Sequence, residues 1–399
     1  MEMNLKMINS NNKTYIFIIW EKARNKTDEI IDDLNKKFVI RNVIEITWSK
    51  KEFLNNLKRF YGQSLPDANK KAEVCGTGSF LLIVVTDINP KFSEPSKSNF
   101  ALEKDYVNIN IFKSKEKYRK LIGKQFTVHS SVSQNETEHN LTLLFGKNTS
   151  DFTKDLPDTW DGTIKKIASN LVGTGGWKNM AELLYVMNGT VNYVILRNFE
   201  EMPSKFDYND VDLLVDDEKL AYIVKKDFSK INDNSRSIKI KIDNHDVTLN
   251  PNYLGDHYYD QNWEKDILKR RVLHDGGFYI PNKSDYFYTL LYHVLFHDRW
   301  KKIINIREDY KKLLLNLAKE LKLEEVTEIS LNNKSLSEIV IKKYMKKSFY
   351  KRTDTITYKI RHNETSRLFK TSLFILKTHG IKHLSYAIKE KIKLILKLR

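Results

Sequence analysis

Residues 210–215 read Asp-Val-Asp-Leu-Leu-Val, and this stretch decides how the second half of the chain is interpreted. The apolar run after Asp210 predicts a β-strand, and side chains two positions apart on a strand point to the same face. Asp210 and Asp212 should therefore reach one ligand together. Two carboxylates held that close repel each other unless a cation lies between them, which predicts a Mg²⁺ (or Mn²⁺) site. The alternative is an ordinary strand whose solvated end carries two acidic residues.

The segments around residues 210–215 alternate between helix and strand patterns. The predicted elements are a helix at 180–187, strands at 193–196 and 210–215, a hairpin of 237–242 and 247–249 around a polar turn at 243–246, and helices from 263 to about 321. A metal site in such a mixed domain suits phosphoryl or nucleotidyl transfer, because the metal neutralises charge on the transferring phosphate.

Three stretches carry a resemblance to a known family, namely Tyr193–Glu200, Asp210–Val215 and Leu254–Asp260. In order and content they resemble the polymerase-β-like nucleotidyltransferase superfamily. The resemblance is closest to its bacterial surface-glycan branch, which is related to the choline-phosphotransferase and fukutin groups. It covers about 130 of the 399 residues.

The resemblance implies a Mg-dependent transferase that moves a nucleotidyl or phospho-polyol group from a nucleotide-activated donor to a glycan or lipid-linked glycan acceptor. Asp210 and Asp212 would be the catalytic metal ligands. Asn250 stands where the family has a third carboxylate, and Asp246 and Asp256 are possible substitutes. Such enzymes act in capsule or other cell-surface polysaccharide synthesis.

The sequence departs from the family pattern after the first strand. The family has Gly-Gly or Gly-Ser there, whereas this chain has Arg197-Asn198. The fork of Arg197 matches phosphate geometry and could replace the missing backbone contact. Asp256, His257 and Tyr258 could line the substrate pocket. Two alternatives stay open, a catalytically inactive binding or scaffold protein and a nucleotidyltransferase acting on RNA or protein.

The first 150 residues are predicted to form a separate α/β domain of unknown role. Apolar strand patterns at 15–20, 43–48 and 80–85, with a helix at about 27–38, predict the strand-helix-strand unit of a parallel sheet. The Asp-, Thr- and Gly-rich residues 150–178 read as a connection to the nucleotidyltransferase-like domain at 175–335. The predicted fold is therefore α/β, with two α/β domains and a basic helical extension at 340–399.

Residues 113–146 contain a cluster of charged and polar side chains that includes Arg119 and His129. The cluster predicts either a site for an anionic ligand or an exposed polar loop between two strands, and only Arg119 and His129 are worth testing. His293 and His297 have the four-residue spacing of a zinc-binding helix face, although histidines that pack in a core show the same spacing.

The net charge of +17 is concentrated near the end of the chain, because residues 341–399 carry 17 Lys and Arg against 3 Asp and Glu. In residues 380–399, isoleucines and leucines recur at helical spacing between lysines, which predicts a basic amphipathic helix. This helix could lie on an anionic membrane surface or pack on the body of the protein, and nucleic acid is a less favoured partner. The single cysteine and the absence of a secretory signal pattern favour a cytoplasmic protein, peripheral on the inner face of the membrane.

Overall fold

A computed structural model describes residues 14–65, 67–93, 106–207, 210–216, 219–226, 237–297 and 307–353. Helices and two mixed sheets make up the described chain, so the predicted α/β class is confirmed. The predicted amphipathic helix at 380–399 lies outside the described residues. None of the helices in these ranges has the length and apolar character needed to cross a bilayer.

The described ranges contain thirteen strands of two to nine residues, with helices interspersed among them. In order they are β1 Thr14–Ile19, β2 Val39–Thr47, β3 Phe80–Thr86, β4 Phe92–Ser93, β5 Val107–Asn108, β6 Val128–Ser130, β7 Ile164–Ala168, β8 Tyr193–Ile195, β9 Val211–Val215, β10 Ile238–Ile242, β11 His245–Tyr253, β12 Val272–Leu273 and β13 Tyr279–Ile280.

The same described residues form thirteen α-helices, namely α1 Thr27–Asn35, α2 Phe53–Tyr61, α3 Ala68–Cys75, α4 Ile109–Ile122, α5 Gln134–Phe145, α6 Thr149–Lys154, α7 Met180–Thr190, α8 Lys219–Val224, α9 Gln261–Lys269, α10 Lys283–Tyr292, α11 Glu308–Glu320, α12 Glu328–Asn332 and α13 Lys334–Lys347. A π-helical turn, His293–His297, continues α10. Side-chain caps fix several of these starts, such as that of α9, where Asp260 accepts hydrogen bonds from the amides of Asn262 and Trp263.

The first sheet has the strand order β6-β1-β3-β2-β7. The three predicted strands are present, and β1 and β2 run in the same direction with α1 between them in sequence, as the predicted strand-helix-strand unit requires. The predicted parallel sheet, however, is wrong. Strand β3 lies between β1 and β2 and runs antiparallel to both, and only β2 and β7 pair in parallel. The error has a physical cause: every residue of β1 is buried, and a strand covered on both faces has the same continuous apolar sequence in either direction.

The second sheet has the order β10-β11-β9-β8, in which β9 and β11 are parallel and the other pairs antiparallel. The predicted hairpin is present, with a tighter turn than expected. Asp243 and Asn244 form it with φ of 45° and 64°, and the next residue already belongs to β11. Two residues with positive φ match the twist of the flanking strands.

Contacts across the predicted domain boundary are extensive. One cluster of buried apolar side chains extends from Trp20 in the first part of the chain to Tyr350 in the last described part. Strand β7 lies inside the segment predicted as a connection and pairs with β2 of the first sheet. The boundaries 1–150, 175–335 and 340–399 remain predictions.

Arg59 is a buried polar link between α2 and later parts of the chain. Its guanidinium donates to the carbonyl oxygens of Gly173 at 3.2 Å and Lys225 at 2.6 Å, and to that of Ile223. These three acceptors lie in the loop before α7 and at the end of α8, so one side chain holds together segments more than 100 residues apart.

Candidate functional site on strand β9

The candidate site lies where β9 and β11 run side by side. Their parallel register puts Asn250 opposite Asp212, so these two side chains share a face of the sheet. The Nδ2 of Asn250 also donates to Oδ1 of Asp210 at 2.8 Å. Asp210 and Asp212 therefore lie on the same face, as the alternation of strand side chains requires.

Asp212 is buried and carries an ion pair with Arg197. Arg197 lies two residues after the end of β8. Its Nη2 atom is 2.5 Å from Oδ2 of Asp212, and both residues are 7% exposed. Burial opposes the charge of Arg197, but the neighbouring Tyr258 and Asp212 outweigh it and raise the pKa of the guanidinium. At neutral pH Arg197 is thus charged, and a positive charge this close favours the ionised form of the Asp212 carboxylate.

The ion pair continues into a short polar chain. The Nη1 of Arg197 donates to the hydroxyl of Tyr258 at 3.3 Å, and that hydroxyl lies 3.3 Å from Nδ1 of His293. Asn198, which has φ of 58°, accepts a hydrogen bond from the hydroxyl of Tyr310 at 3.3 Å. Arg197 and Tyr258, which were predicted to bind substrate, are buried, and Arg197 contacts both Asp212 and Tyr258. Their role in substrate binding stays a prediction.

Asp210 and Asn250 occupy the more open side of the site. Asp210 is exposed, whereas Oδ1 of Asn250 accepts a hydrogen bond from the hydroxyl of Ser237 at 2.7 Å. The amide oxygen of Asn250, the atom predicted to bind metal, thus already has a donor. Asn250 thus orients Asp210 through its amide nitrogen, and its amide oxygen keeps one lone pair, so its role as a metal ligand stays a prediction.

The carboxylates at this site suit a divalent cation that keeps most of its water ligands. Within the described ranges, no three His, Cys, Asp or Glu side chains converge on a point where a metal could bind. Mg²⁺, however, commonly keeps several waters and takes only one or two carboxylates. Asp210 and Asp212 fit that requirement, with the condition that Asp212 shares its charge between the cation and Arg197.

The loop that follows β11 is fixed mainly by its own hydrogen bonds. Asp256 accepts from the amides of Tyr253 at 3.1 Å and Tyr258 at 2.8 Å, which fixes the turn. His257 is exposed and has φ of 69°. Tyr258, one of the predicted substrate residues in this loop, is hydrogen-bonded to Arg197, the partner of Asp212.

The side chain of Glu264 fixes the backbone of the same loop. Its carboxylate accepts hydrogen bonds from the amides of Gly255 at 2.8 Å and Tyr259 at 3.0 Å, and the side chain is fully buried. Burial raises the pKa of Glu264 to about 7, and the two backbone hydrogen bonds lower it only in part. At a pH between the ordinary glutamate pKa and about 7, folded Glu264 therefore keeps a proton that the unfolded chain has released.

We expect the free energy of unfolding to fall as the pH rises from about 4.5 to about 7 and then to level off, because in this range the unfolded chain has released the proton that folded Glu264 still holds. The loss between mildly acidic and neutral pH should be on the order of 3 kcal/mol for this one group. Urea denaturation at a series of pH values checks this. Glu264→Gln should remove most of the slope, whereas Glu201→Gln, at an exposed carboxylate, should keep it. Equal slopes in the parent and Glu264→Gln would refute the assignment.

Arg119 and His129 are buried structural residues. The prediction that this segment is an exposed loop between strands is wrong, because the segment forms α4, β6 and α5. The Nε of Arg119 donates to the carbonyl of Val128 at 3.0 Å, and Nε2 of His129 lies 3.0 Å from the amide nitrogen of Asn140. Burial and nearby cations, Lys115 first, lower the pKa of His129 far below its usual value, so the ring is neutral.

Sequence reasoning missed two residues near the site. His293 was considered only as a zinc ligand or a core histidine, and Tyr310 was not considered. Both lie more than 75 residues after β9, so no signal near the Asp210–Val215 stretch indicates their position. A scan against protein-family models and a search of curated proteins found no match to this chain.

Proposed function

We propose that the chain is a Mg²⁺-dependent transferase of the nucleotidyltransferase type. It would move a nucleotidyl or phospho-polyol group from a nucleotide-activated donor to a glycan or lipid-linked glycan in surface polysaccharide synthesis. The observation that carries the proposal is the shared face of Asp210 and Asp212, with one carboxylate exposed and the other buried beside it. The resemblance of three sequence stretches supplies the donor and acceptor classes.

The chain's own residues would have distinct tasks. Asp210 and Asp212 would hold the cation, which when bound would neutralise charge on the donor phosphates. Arg197 keeps Asp212 ionised and fixes its direction, because a guanidinium 2.5 Å away favours the charged carboxylate. Asn250 restrains Asp210 through the 2.8 Å hydrogen bond. Arg197 is therefore a positioning residue in this proposal, and Asp210 and Asp212 are the catalytic ones.

Asp210→Asn tests the proposal most cleanly because Asp210 is exposed and its loss should not disturb folding. We expect the parent to bind Mg²⁺ in the presence of a nucleoside triphosphate by calorimetry, and the variant to bind at least tenfold more weakly, since one of two charged ligands is gone. Asp158→Asn, at an exposed carboxylate that the proposal gives no role at the site, is the matched control. Equal binding by the parent and Asp210→Asn would contradict the proposal.

A second candidate is a catalytically inactive binding or scaffold protein. The Arg197–Asp212 ion pair favours it, because Asp212 already has a full positive charge beside it without any metal. The amide of Asn250 in place of a third carboxylate points the same way. Failure of the folded parent to bind Mg²⁺ at millimolar concentration, with and without nucleotide, would favour this candidate over the transferase.

A peripheral position on the inner face of a membrane fits a lipid-linked acceptor. The proposed contact is the basic segment 380–399, in which apolar residues recur at helical spacing. Deleting residues 380–399 and measuring retention on vesicles tests this part of the proposal without reference to catalysis.

A further inference from the structure

The C-terminal end of α13 carries a dense group of exposed cations. Lys346, Lys347, Lys351 and Arg352 are all exposed, and together with Phe349 they form what we call the α13-end surface. Within the described ranges, no carboxylate lies within ion-pair distance of Lys346, Lys347 or Lys351. By contrast, the preceding Lys342 and Lys343 have Glu338 and Glu325 at 3.2 Å.

Phe349 is the most exposed large apolar residue of the described chain, at 90%. Its backbone is in the left-handed conformation, with φ of 59°, at the point where the chain leaves the C-terminal end of α13. The amide of Phe349 donates to the carbonyl of Lys346 at 3.3 Å, and that of Tyr350 to Met345 at 2.9 Å. Glycine is the usual residue at this position of a helix end, and a bulky side chain there costs roughly 1–2 kcal/mol.

Packing against described residues does not offset the conformational cost of the left-handed backbone at Phe349. Phe126 has a similar φ of 67°, but it is only 46% exposed and its ring faces the cations of Lys71 and Arg119 at 5.5 Å and 5.8 Å. No such contact holds the ring of Phe349 among the described residues. A strained, solvent-facing phenylalanine among lysines is therefore a feature that folding alone does not explain.

Beside Phe349 lies a groove with an apolar floor and a cationic rim. It has a volume of about 330 Å³ and is lined by Phe296, Ile341, Lys342, Met345, Lys346, Tyr350 and Arg352. The guanidinium of Arg352 lies 4.0 Å from the ring centroid of Phe296. Such a groove suits an apolar chain that ends in an anionic group.

We infer that the α13-end surface and its groove dock on an anionic phospholipid membrane. Lys346, Lys347 and Lys351 would face the headgroups, Phe349 would enter the interface, and the groove would accept part of an acyl chain. Aromatic side chains prefer the headgroup level, and each lysine near an acidic lipid surface adds to the attraction. The apolar groove favours a lipid over a nucleic acid, which has no aliphatic chain to fill it. The inference does not rest on the transferase reaction.

The test uses the full chain and sedimentation with phosphatidylcholine vesicles that contain or lack phosphatidylserine. We expect binding only to the anionic vesicles. Lys346→Gln/Lys347→Gln should weaken it roughly 30-fold, from about fivefold for each lysine. The matched control is Lys50→Gln/Lys51→Gln, an adjacent exposed lysine pair in a turn, which should bind like the parent.

Phe349→Gly separates a docking role from a structural one. Relief of the left-handed strain should leave the melting temperature unchanged or higher, while vesicle binding falls severalfold. If the parent does not prefer anionic vesicles, or if both variants bind them like the parent, the inference is overturned. Loss of RNA binding in the lysine variant with unchanged vesicle binding would also overturn it, in favour of a nucleic-acid surface.

Discussion

Asp212→Leu is expected to lower the free energy of unfolding by about 3–5 kcal/mol, because it leaves the charge of Arg197 buried without its carboxylate. Arg197 is 7% exposed, so water cannot replace the lost partner. Urea denaturation followed by far-UV circular dichroism measures the change. This expectation is independent of catalysis, and it warns that lost activity in any Asp212 variant is informative only if the variant is folded.

The double variant Arg197→Met/Asp212→Leu provides the internal control. Replacing both members of a buried ion pair by apolar side chains of similar volume is often close to neutral, so most of the stability should return. The exposed pair Lys241–Asp246 is the comparison, since its removal should cost no more than about 1 kcal/mol. A double variant as unstable as Asp212→Leu would show that the ion pair is not what the single change breaks.

Arg59→Met is expected to cost about 3–5 kcal/mol, the second large effect. The change removes the donor to three buried carbonyl oxygens, and each unsatisfied buried acceptor costs about 1–3 kcal/mol. Burial lowers the pKa of Arg59 to about 10, which still leaves the side chain charged at neutral pH. Thermal and urea unfolding both report the loss.

Lys51→Met, at an exposed position just before α2, is the matched control for Arg59→Met. We expect it to change the free energy of unfolding by less than about 0.5 kcal/mol. A similarly small effect for Arg59→Met would mean that the carbonyls of Gly173, Ile223 and Lys225 find other donors. It would also mean that this link between distant segments contributes little to stability.

Much of the fold could be predicted from local patterns. The strand at 210–215 and the hairpin around 243–246 follow from alternation and turn residues, and both are present. Strand direction could not be predicted, since β3 is apolar throughout and gives no sign that it inserts between β1 and β2. Likewise, the cluster around Arg119 was misread because charged residues that pair inside a fold resemble those of a loop.

The candidate site was predictable only where neighbours in sequence are neighbours in space. The shared face of Asp210 and Asp212 follows from the two-residue period of a strand. The ion pair of Asp212 with Arg197 could not be foreseen, because it depends on how β8 ends beside β9. The partners from residues 258 and 293 depend on tertiary packing, which no spacing rule conveys.

Each sheet ends on a strand that bears lysines. Strand β7 presents Lys165 and Lys166 to solvent, and β10 presents Lys239 and Lys241 in alternation with buried isoleucines. A free strand edge can template the addition of a strand from another molecule, and like charges along that edge oppose it. The lysines of β7 and β10 would therefore oppose the addition of a foreign strand along these two edges.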